Sequence, residues 1–281
     1  MSLRSYIKTL FLLSTLGVTV VMANTGTMPS KNIIFDLGEV LIKTNGLTAF
    51  WHLGPLKIVH YPLVAQNSLQ AKKRFFAFLE AIAPYDITQT PVYDADGTQL
   101  PQLMYNWLTG AQSCQEITQY ITHALKQNDT YCASKAESQF FQAMTGMIFN
   151  PETFVKTRKV IKKGIDFVHE CKARGHRVYI LSNWDSESFE LMCRKYPALF
   201  LLFDGIMISG NVRCAKPDPA IFSHFLTTFD LNPAECIFID DQQENVRAAR
   251  TLGIKAVLCP QKRSTFGRSK PNYKALRDAV L

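Results

Sequence analysis

The chain contains no C-x-x-C pair and no histidines at zinc-ligand spacing, which excludes the common structural zinc sites. It has no internal repeat of roughly 20 to 50 residues and no low-complexity tract, which excludes solenoids and propellers. An acidic surplus is also missing, since 31 Lys and Arg stand against 23 Asp and Glu. The basic excess comes without aromatic interleaving or a nucleic-acid motif, so no specific nucleic-acid partner is expected. What is present is apolar material: 47% hydrophobic and 19% charged residues over 281 positions, enough to bury a full core in one large domain or two smaller ones.

Arg4 and Lys8 precede an apolar stretch from Leu10 to Met22, and Val21-Met22-Ala23 offers a small-residue cleavage site before Asn24. Residues 1–23 therefore read as a signal peptide, which implies a secreted or periplasmic protein. The alternative is an uncleaved membrane anchor, because the weakly apolar run nearly reaches the length of a span. Cleavage would leave 29 basic against 23 acidic residues, a net charge of +6, and no membrane span in the mature chain. Part of that surplus falls in a basic tail over 261–281, where Lys262, Arg263, Arg268, Lys270, Lys274 and Arg277 precede Asp278. A solvated terminus is expected there. Of the seven cysteines, Cys114 and Cys132 are the pair expected to bridge in an oxidising compartment, while Cys171, Cys193, Cys236 and Cys259 fall at expected buried positions.

Asn32 to Phe35 is a short apolar run stopped by Asp36-Leu-Gly38, the pattern of a buried parallel strand ending in a turn. Similar strands are expected over Val178 to Leu181, Phe203 to Ile208, Cys236 to Ile239 and Lys255 to Cys259. Helices are expected over Thr157 to Gly175, Pro219 to Phe229 and Glu244 to Leu252. This alternation predicts an α/β fold, a doubly wound, Rossmann-like parallel sheet. Its core occupies 31–44 and 157–260. Residues 45–156 show helical periodicity, as in Ser68 to Ile82 and Glu116 to Leu125, and form an inserted helical cap. Asp94-Ala-Asp-Gly97 lacks the later acidic residue of a calcium loop and reads as a surface turn.

Polar residues that end apolar parallel strands collect on one edge of such a sheet, the carboxyl edge where doubly wound folds bind ligands. Here that edge gathers Asp36, Ser182, Asn183, Asp240 and Asp241, with Lys216 in the following loop. Three carboxylates converging on one lysine repel unless a cation neutralises them. An all-oxygen cluster with few protein ligands suits Mg²⁺, which keeps several waters and accepts a substrate phosphate.

Four segments in order, Phe35-Asp-Leu-Gly-Glu-Val-Leu41, Leu181-Ser-Asn183, Lys216-Pro-Asp-Pro-Ala-Ile-Phe222 and Ile239-Asp-Asp-Gln-Gln-Glu-Asn-Val246, resemble motifs one to four of the haloacid dehalogenase superfamily. The resemblance implies that Asp36 is a nucleophile forming an aspartyl-phosphate. It implies that Ser182 and the backbone N–H of Asn183 bind the phosphoryl group, and that Lys216 offsets charge on nucleophile and phosphoryl oxygens. Mg²⁺ would be held by Asp36, the Gly38 carbonyl and Asp241, with Asp240 as second ligand or water holder. Asn245 would steady a metal-bound water or Lys216. The implied substrate is a small phosphorylated metabolite.

In one respect the chain departs from that pattern. Phosphatases of the superfamily mostly carry a second aspartate, a general acid, two residues after the nucleophile; here Gly38 stands there, with Glu39 next. General acid–base work contributes ~10² to 10⁴ in rate. Two other readings follow from the omission: a metal-independent dehalogenase, whose halide leaves unprotonated, or a catalytically weak protein that binds a phosphorylated ligand or a partner. Asp240 and Asp241 weigh against the first, and a retained nucleophile weighs against the second. Among the insert's aromatics, Trp51, His52, Tyr105 and Trp107 are candidates to line the closure, with core packing as the commoner use.

Overall fold

The computed structural model describes residues 30–55, 68–94, 96–127, 131–259, 261–262 and 270–281. The expected signal peptide lies outside the described residues. Five strands, β1 (Asn32–Phe35), β4 (Arg177–Ser182), β5 (Gly205–Ile208), β6 (Cys236–Asp240) and β7 (Lys255–Leu258), form a parallel sheet in the order β5-β4-β1-β6-β7. The strands are apolar almost throughout because both faces are covered. Ile33, Phe35, Val178, Ile180, Ile237 and Ile239 point into one hydrophobic cluster. Their neighbours Ile34, Tyr179, Leu181, Cys236 and Phe238 point into the other. This alternation follows from the two-residue period of a strand.

The first face is packed by helices that follow the insert and β4. Six helices precede them: α1 (Gly46–Leu53), α2 (Ser68–Ile82), α3 (Gln102–Leu108), α4 (Cys114–Gln127), α5 (Lys135–Ile148) and α6 (Pro151–Lys156). Then come α7 (Lys162–Ala173), α8 (Ser186–Lys195), α9 (Pro197–Phe200), α10 (Ser209–Val212), α11 (Pro219–Thr228), α12 (Gln243–Thr251) and α13 (Tyr273–Val280). Phe167 and Val168 of α7 and Met192 of α8 cover the first face, and Phe222 and Phe225 of α11 with Val246 of α12 cover the second. The insert does not stand apart: Phe75, Trp107, Phe141 and Phe149 belong to the same cluster as Phe35 and Phe167.

Three expectations need correction. The helix expected from Thr157 begins later, at Lys162, because Arg158–Val160 is a strand, β3, paired antiparallel with β2 (Ile42–Thr44) in the register Ile42↔Val160 and Thr44↔Arg158. Pairing with a distant edge outweighs local helical periodicity. The tail is not a solvated terminus throughout. Residues Gln261–Lys262 pair with Lys270–Pro271, and α13 buries Tyr273 and Leu276 against α7, with an Arg277–Glu170 ion pair beside them. The spacing of Tyr273 and Leu276 puts both on one helix face, which is why this segment docks. Finally, Cys114 is a free, buried thiol 3.7 Å from Asp185 Oδ1, so its expected bridge to Cys132 is not formed.

Cys171, Cys236 and Cys259 are buried as expected while Cys193 is only partly buried, and burial pushes the first three thiols up to about 12, 11 and 12, so they remain protonated. Asp94 closes its expected turn by accepting from Asp96 and Thr98 backbone N–H groups, with Gly97 at φ 76°. Among the described residues, no helix is long and apolar enough to cross a membrane.

Candidate active site

Each strand end delivers one part of the site. Asp36 follows β1 and donates its backbone N–H to Ile239 O at 2.9 Å, so the sheet's hydrogen bonding continues one residue beyond the strand and fixes the side chain's position. Asp36 is 7% exposed and Asp240, the last residue of β6, is fully buried. Lys216 arrives from the loop before α11, whose start is set by Asp218 accepting from Ala220 N–H and by Pro219 in the first turn.

The ammonium of Lys216 has three N–H donors and finds three acceptors: Asp36 Oδ1 at 2.7 Å, Asp240 Oδ2 at 2.6 Å and Leu181 O at 2.9 Å. At 1% exposure, burial disfavours its charge, yet Asp240 and Asp36 outweigh that effect and raise its pKa. Lys216 is therefore a permanent cation here. The carboxyl of Asp36 is pushed up to about 6, chiefly by burial, with Lys216 opposing and Asp240 reinforcing the rise.

Two further residues hold this arrangement. The side chain of Asn183 clamps the backbone of Lys216 from both sides, its Nδ2 donating to Lys216 O and its Oδ1 accepting from Lys216 N, each at 2.8 Å. Asn245 Nδ2 lies 3.1 Å from both oxygens of Asp240, which also accepts from Gln242 N–H. Asn245 thus steadies Lys216 through Asp240, rather than by touching it. Its Oδ1 is buried without a protein hydrogen-bond partner. Ser182, 1% exposed, gives a hydrogen bond to the Asp36 carboxylate.

Asp240 is consumed by these contacts, and Asp241 is not. Among the described residues Asp241 makes no ion pair and no side-chain hydrogen bond, and its carboxyl is pushed up to about 8 by burial, then by Asp240 and Asp36. The charges can be counted directly. With all three carboxyls ionised, the single ammonium would leave two net negative charges; burial and this repulsion hold the Asp241 carboxyl well above its ordinary value. That donor set fits a divalent cation binding oxygen. It does not fit a metal held in an all-protein cage, and no cluster of three or more His, Cys, Asp or Glu arranged for one occurs among the described residues. Gly38 leaves room beside it, since a Cβ there would approach only Asp36 Oδ2, at 3.4 Å.

Beyond Gly38 the chain turns sharply. Glu39 adopts a left-handed backbone, φ 50°, donates its N–H to Ile42 O, and accepts through its side chain from Thr44 N–H. Burial raises its carboxyl, with Arg158 and Lys43 opposing. This turn, the β2–β3 pair and the rings of Trp107, Phe154 and Trp184 line a cleft of about 190 Å³ that also includes Gly38 and Asn183. Of the insert's aromatic candidates only Trp107 lines this cleft; Trp51 is 65% exposed on α1, away from it. Arg158 was not among the sequence candidates, because its place depends on the β2–β3 pairing that local periodicity hides.

The model of the haloacid dehalogenase-like hydrolases matches residues 31–253, most of the chain. The chain belongs to that family. A drimenol cyclase of Aspergillus calidoustus is 34% identical over 116 residues, 39% of this chain and 22% of its own length. A sesquiterpene phosphatase of Aspergillus oryzae is 37% identical over 87 residues, 31% of this chain and 44% of its own length. A phosphoserine phosphatase of Thermus thermophilus is 34% identical over 94 residues, 32% of this chain and 36% of its own length. The chain thus spans less than half the length of these relatives. Among solved structures, a HAD-like hydrolase of Porphyromonas gingivalis shares the fold at TM-score 0.54 and 19% identity, covering 90% of this chain and 98% of its own. A HAD family enzyme of Bacteroides thetaiotaomicron does so at TM-score 0.54 and 18% identity, covering 83% and 95%.

Proposed function

We propose that this hydrolase cleaves small phosphomonoesters in a Mg²⁺-dependent reaction, through an aspartyl-phosphate on Asp36. The observation that carries the reading is the division of labour among the carboxylates: Lys216 is saturated by Asp36 and Asp240, while Asp241 stands beside them without a cation. A dehalogenase has no use for an uncompensated Asp241 next to its nucleophile. Relatives that are phosphatases of a sesquiterpene and of phosphoserine support the same chemistry.

In this reading Asp36 Oδ1 stays tied to Lys216 and Oδ2, on the Gly38 side, attacks phosphorus. The P–O bond to the leaving group breaks as the new Asp36–phosphorus bond forms, and water then displaces Asp36 to release inorganic phosphate. Lys216 stays charged throughout, so an anionic nucleophile meets an anionic phosphoryl group beside a fixed cation. Ser182 and the Asn183 backbone N–H orient phosphoryl oxygens, while Asn245 and Asp240 keep the ammonium aimed. Asp36, Asp241 and the Gly38 carbonyl would hold Mg²⁺, which when bound supplies charge neutralisation for the phosphoryl group. Gly38 offers no proton to the leaving oxygen, so good leaving groups are favoured. The helical insert acts as a cap that shields this edge from water.

The test is phosphate release from p-nitrophenyl phosphate with Mg²⁺ and with chelator, in wild type and Asp36→Asn. Release that needs Mg²⁺ and vanishes in the variant supports the reading. No turnover across a phosphomonoester panel refutes it, and chelator-insensitive chloride release from 2-haloacids would replace it with dehalogenation.

A further inference from the structure

We propose that Tyr273, on the C-terminal helix α13, is a positioning residue for the active site: its hydroxyl holds the Val40 carbonyl and so fixes the turn that sets Gly38 beside Asp36. The proposal rests on the reading of Asp36, Asp241 and the Gly38 carbonyl as the Mg²⁺ ligands, and it adds a residue from outside the strand-end cluster. Tyr273 lies beyond residues 31–253, so the family match assigns it no role.

The turn from Leu37 to Ile42 packs against the nucleophile, since a Cβ on Gly38 would lie 3.4 Å from Asp36 Oδ2. Within it Glu39 is left-handed, φ 50°, a conformation that residues with a Cβ avoid. Such backbone persists only where its surroundings over-determine it. From inside, Leu41 and Ile42 donate their N–H groups to Leu37 O at 2.9 and 2.8 Å, and Glu39 donates to Ile42 O at 2.8 Å. None of these bonds uses the carbonyl of Val40, a fully buried residue, and a buried carbonyl needs a donor. The Tyr273 hydroxyl donates to it, and among the described residues no other group does. The peptide joining Val40 to Leu41 is thus held on both sides, its N–H by Leu37 and its C=O by Tyr273. It directly follows Glu39, so holding it blocks the rotation by which the left-handed turn would relax and draw Gly38 away from Asp36.

A third segment is shaped to admit this contact. Gly164, in the first turn of α7, is buried and not left-handed, so its backbone does not call for glycine. The space does: a Cβ there would lie 2.8 Å from the Tyr273 hydroxyl and 3.1 Å from Val40 O. Tyr273 is 4% exposed, and burial raises the pKa of its phenol, so the hydroxyl stays a donor. The rest of α13 is fastened elsewhere. Arg277 pairs with Glu170, Lys255 Nζ donates to Ala279 O at 3.0 Å, and Leu276 is buried. Those ties dock the helix without reaching the turn, which allows docking and positioning to be separated by mutation.

Two variants of the full chain test this. Tyr273→Phe keeps the ring and removes the hydroxyl, while Arg277→Gln loosens the same helix and leaves the Val40 contact in place. Mn²⁺ binding, followed by loss of the free ion's paramagnetic resonance signal, and its displacement by Mg²⁺ give the Mg²⁺ affinity without any turnover. That affinity should fall about tenfold in Tyr273→Phe, the low end of the ~10- to 100-fold typical for groups that orient metal ligands. In Arg277→Gln it should match wild type, although the thermal midpoint drops. With p-nitrophenyl phosphate, the Mg²⁺ concentration giving half the maximal rate should rise in Tyr273→Phe by the same factor, while KM for the ester at saturating Mg²⁺ is unchanged. Should Tyr273→Phe fail to fold, Gly164→Ala, which displaces the hydroxyl sterically, should show the same loss of Mg²⁺ affinity. Wild-type Mg²⁺ affinity in the variant that lacks the contact overturns the proposal, as does an equal loss in Arg277→Gln. Either result, with metal bound by wild type, refutes this inference alone; a wild type that binds neither Mn²⁺ nor Mg²⁺ refutes the metal-dependent reading and this inference with it.

Discussion

Replacing Lys216 with Met removes the one cation that, among the described residues, contacts two buried carboxylates, Asp36 and Asp240, while keeping nearly the same volume. Breaking a buried pair by deleting one partner costs about 3–5 kcal/mol, because the remaining charge is left uncompensated. For a chain of this size a urea m-value near 3 kcal/mol per molar converts that to a loss of roughly 1 to 2 M in midpoint. The cost should depend on pH. In wild type the folded Asp36 carboxyl already stands near 6 against 3.8 for its ordinary value; without the ammonium it rises further. A carboxyl with a raised folded pKa binds more protons folded than unfolded, so stability falls as pH climbs from the unfolded to the folded value. The Lys216→Met penalty is thus small near pH 4 and reaches its full size only above the variant's raised Asp36 pKa. Urea titrations in chelator at pH 5 and pH 8 measure this. Asp240→Asn in the variant background should recover part of the loss, with a coupling of about 0.5–3 kcal/mol. A Lys216→Met cost under ~1 kcal/mol at pH 8, or strict additivity with Asp240→Asn, would refute the claim that this ammonium neutralises both carboxylates.

Asp36→Asn should lower turnover by about 10⁴-fold or more and, in chelator at pH 8, raise the urea midpoint, because one of three crowded carboxylates is gone. Gly38→Asp meets no steric bar, with Asp36 Oδ2 3.4 Å from the new Cβ; stopped-time assays should show gains of about 10²-fold on alkyl esters, and far smaller ones on p-nitrophenyl phosphate. Asn245→Ala strips Asp240 of a donor shared between its two oxygens, and calorimetry should record a loss of about 1–3 kcal/mol. At Gly164, a Cβ would come within 2.8 Å of the Tyr273 hydroxyl and 3.1 Å of Val40 O, so Gly164→Ala should break the Tyr273–Val40 hydrogen bond and cost about 1–3 kcal/mol in unfolding.

Much of this site was legible one residue at a time. Asp36, Ser182 and Asp240 end runs of apolar residues, and a buried strand can afford a polar group only at its end, so composition alone places them on one sheet edge. Cys171, Cys236 and Cys259 were legible for the same reason: each occupies an apolar position of a helix or strand. The role of Asn245 was only half legible. Its spacing from Asp240 puts it early in α12, but that its amide N–H meets the Asp240 carboxylate, rather than its carbonyl meeting the Lys216 ammonium, is a matter of side-chain approach.

The local sequence of this chain determined its α/β alternation and the positions of Asp36, Lys216 and the Asp240–Asp241 pair, because these depend on periodicities of two and 3.6 residues and on where apolar runs stop. Tertiary structure decided everything that depends on distance along the chain. Only folding brings Lys216 between Asp36 and Asp240, saturates one carboxylate of the pair and leaves Asp241, among the described residues, without an ion-pair partner. Only folding pairs β3 with β2, sets Arg158 over the Phe154 ring, and docks α13 on α7. These contacts are side-chain pairings between segments far apart in sequence, and no local pattern encodes which of several charged neighbours will be met.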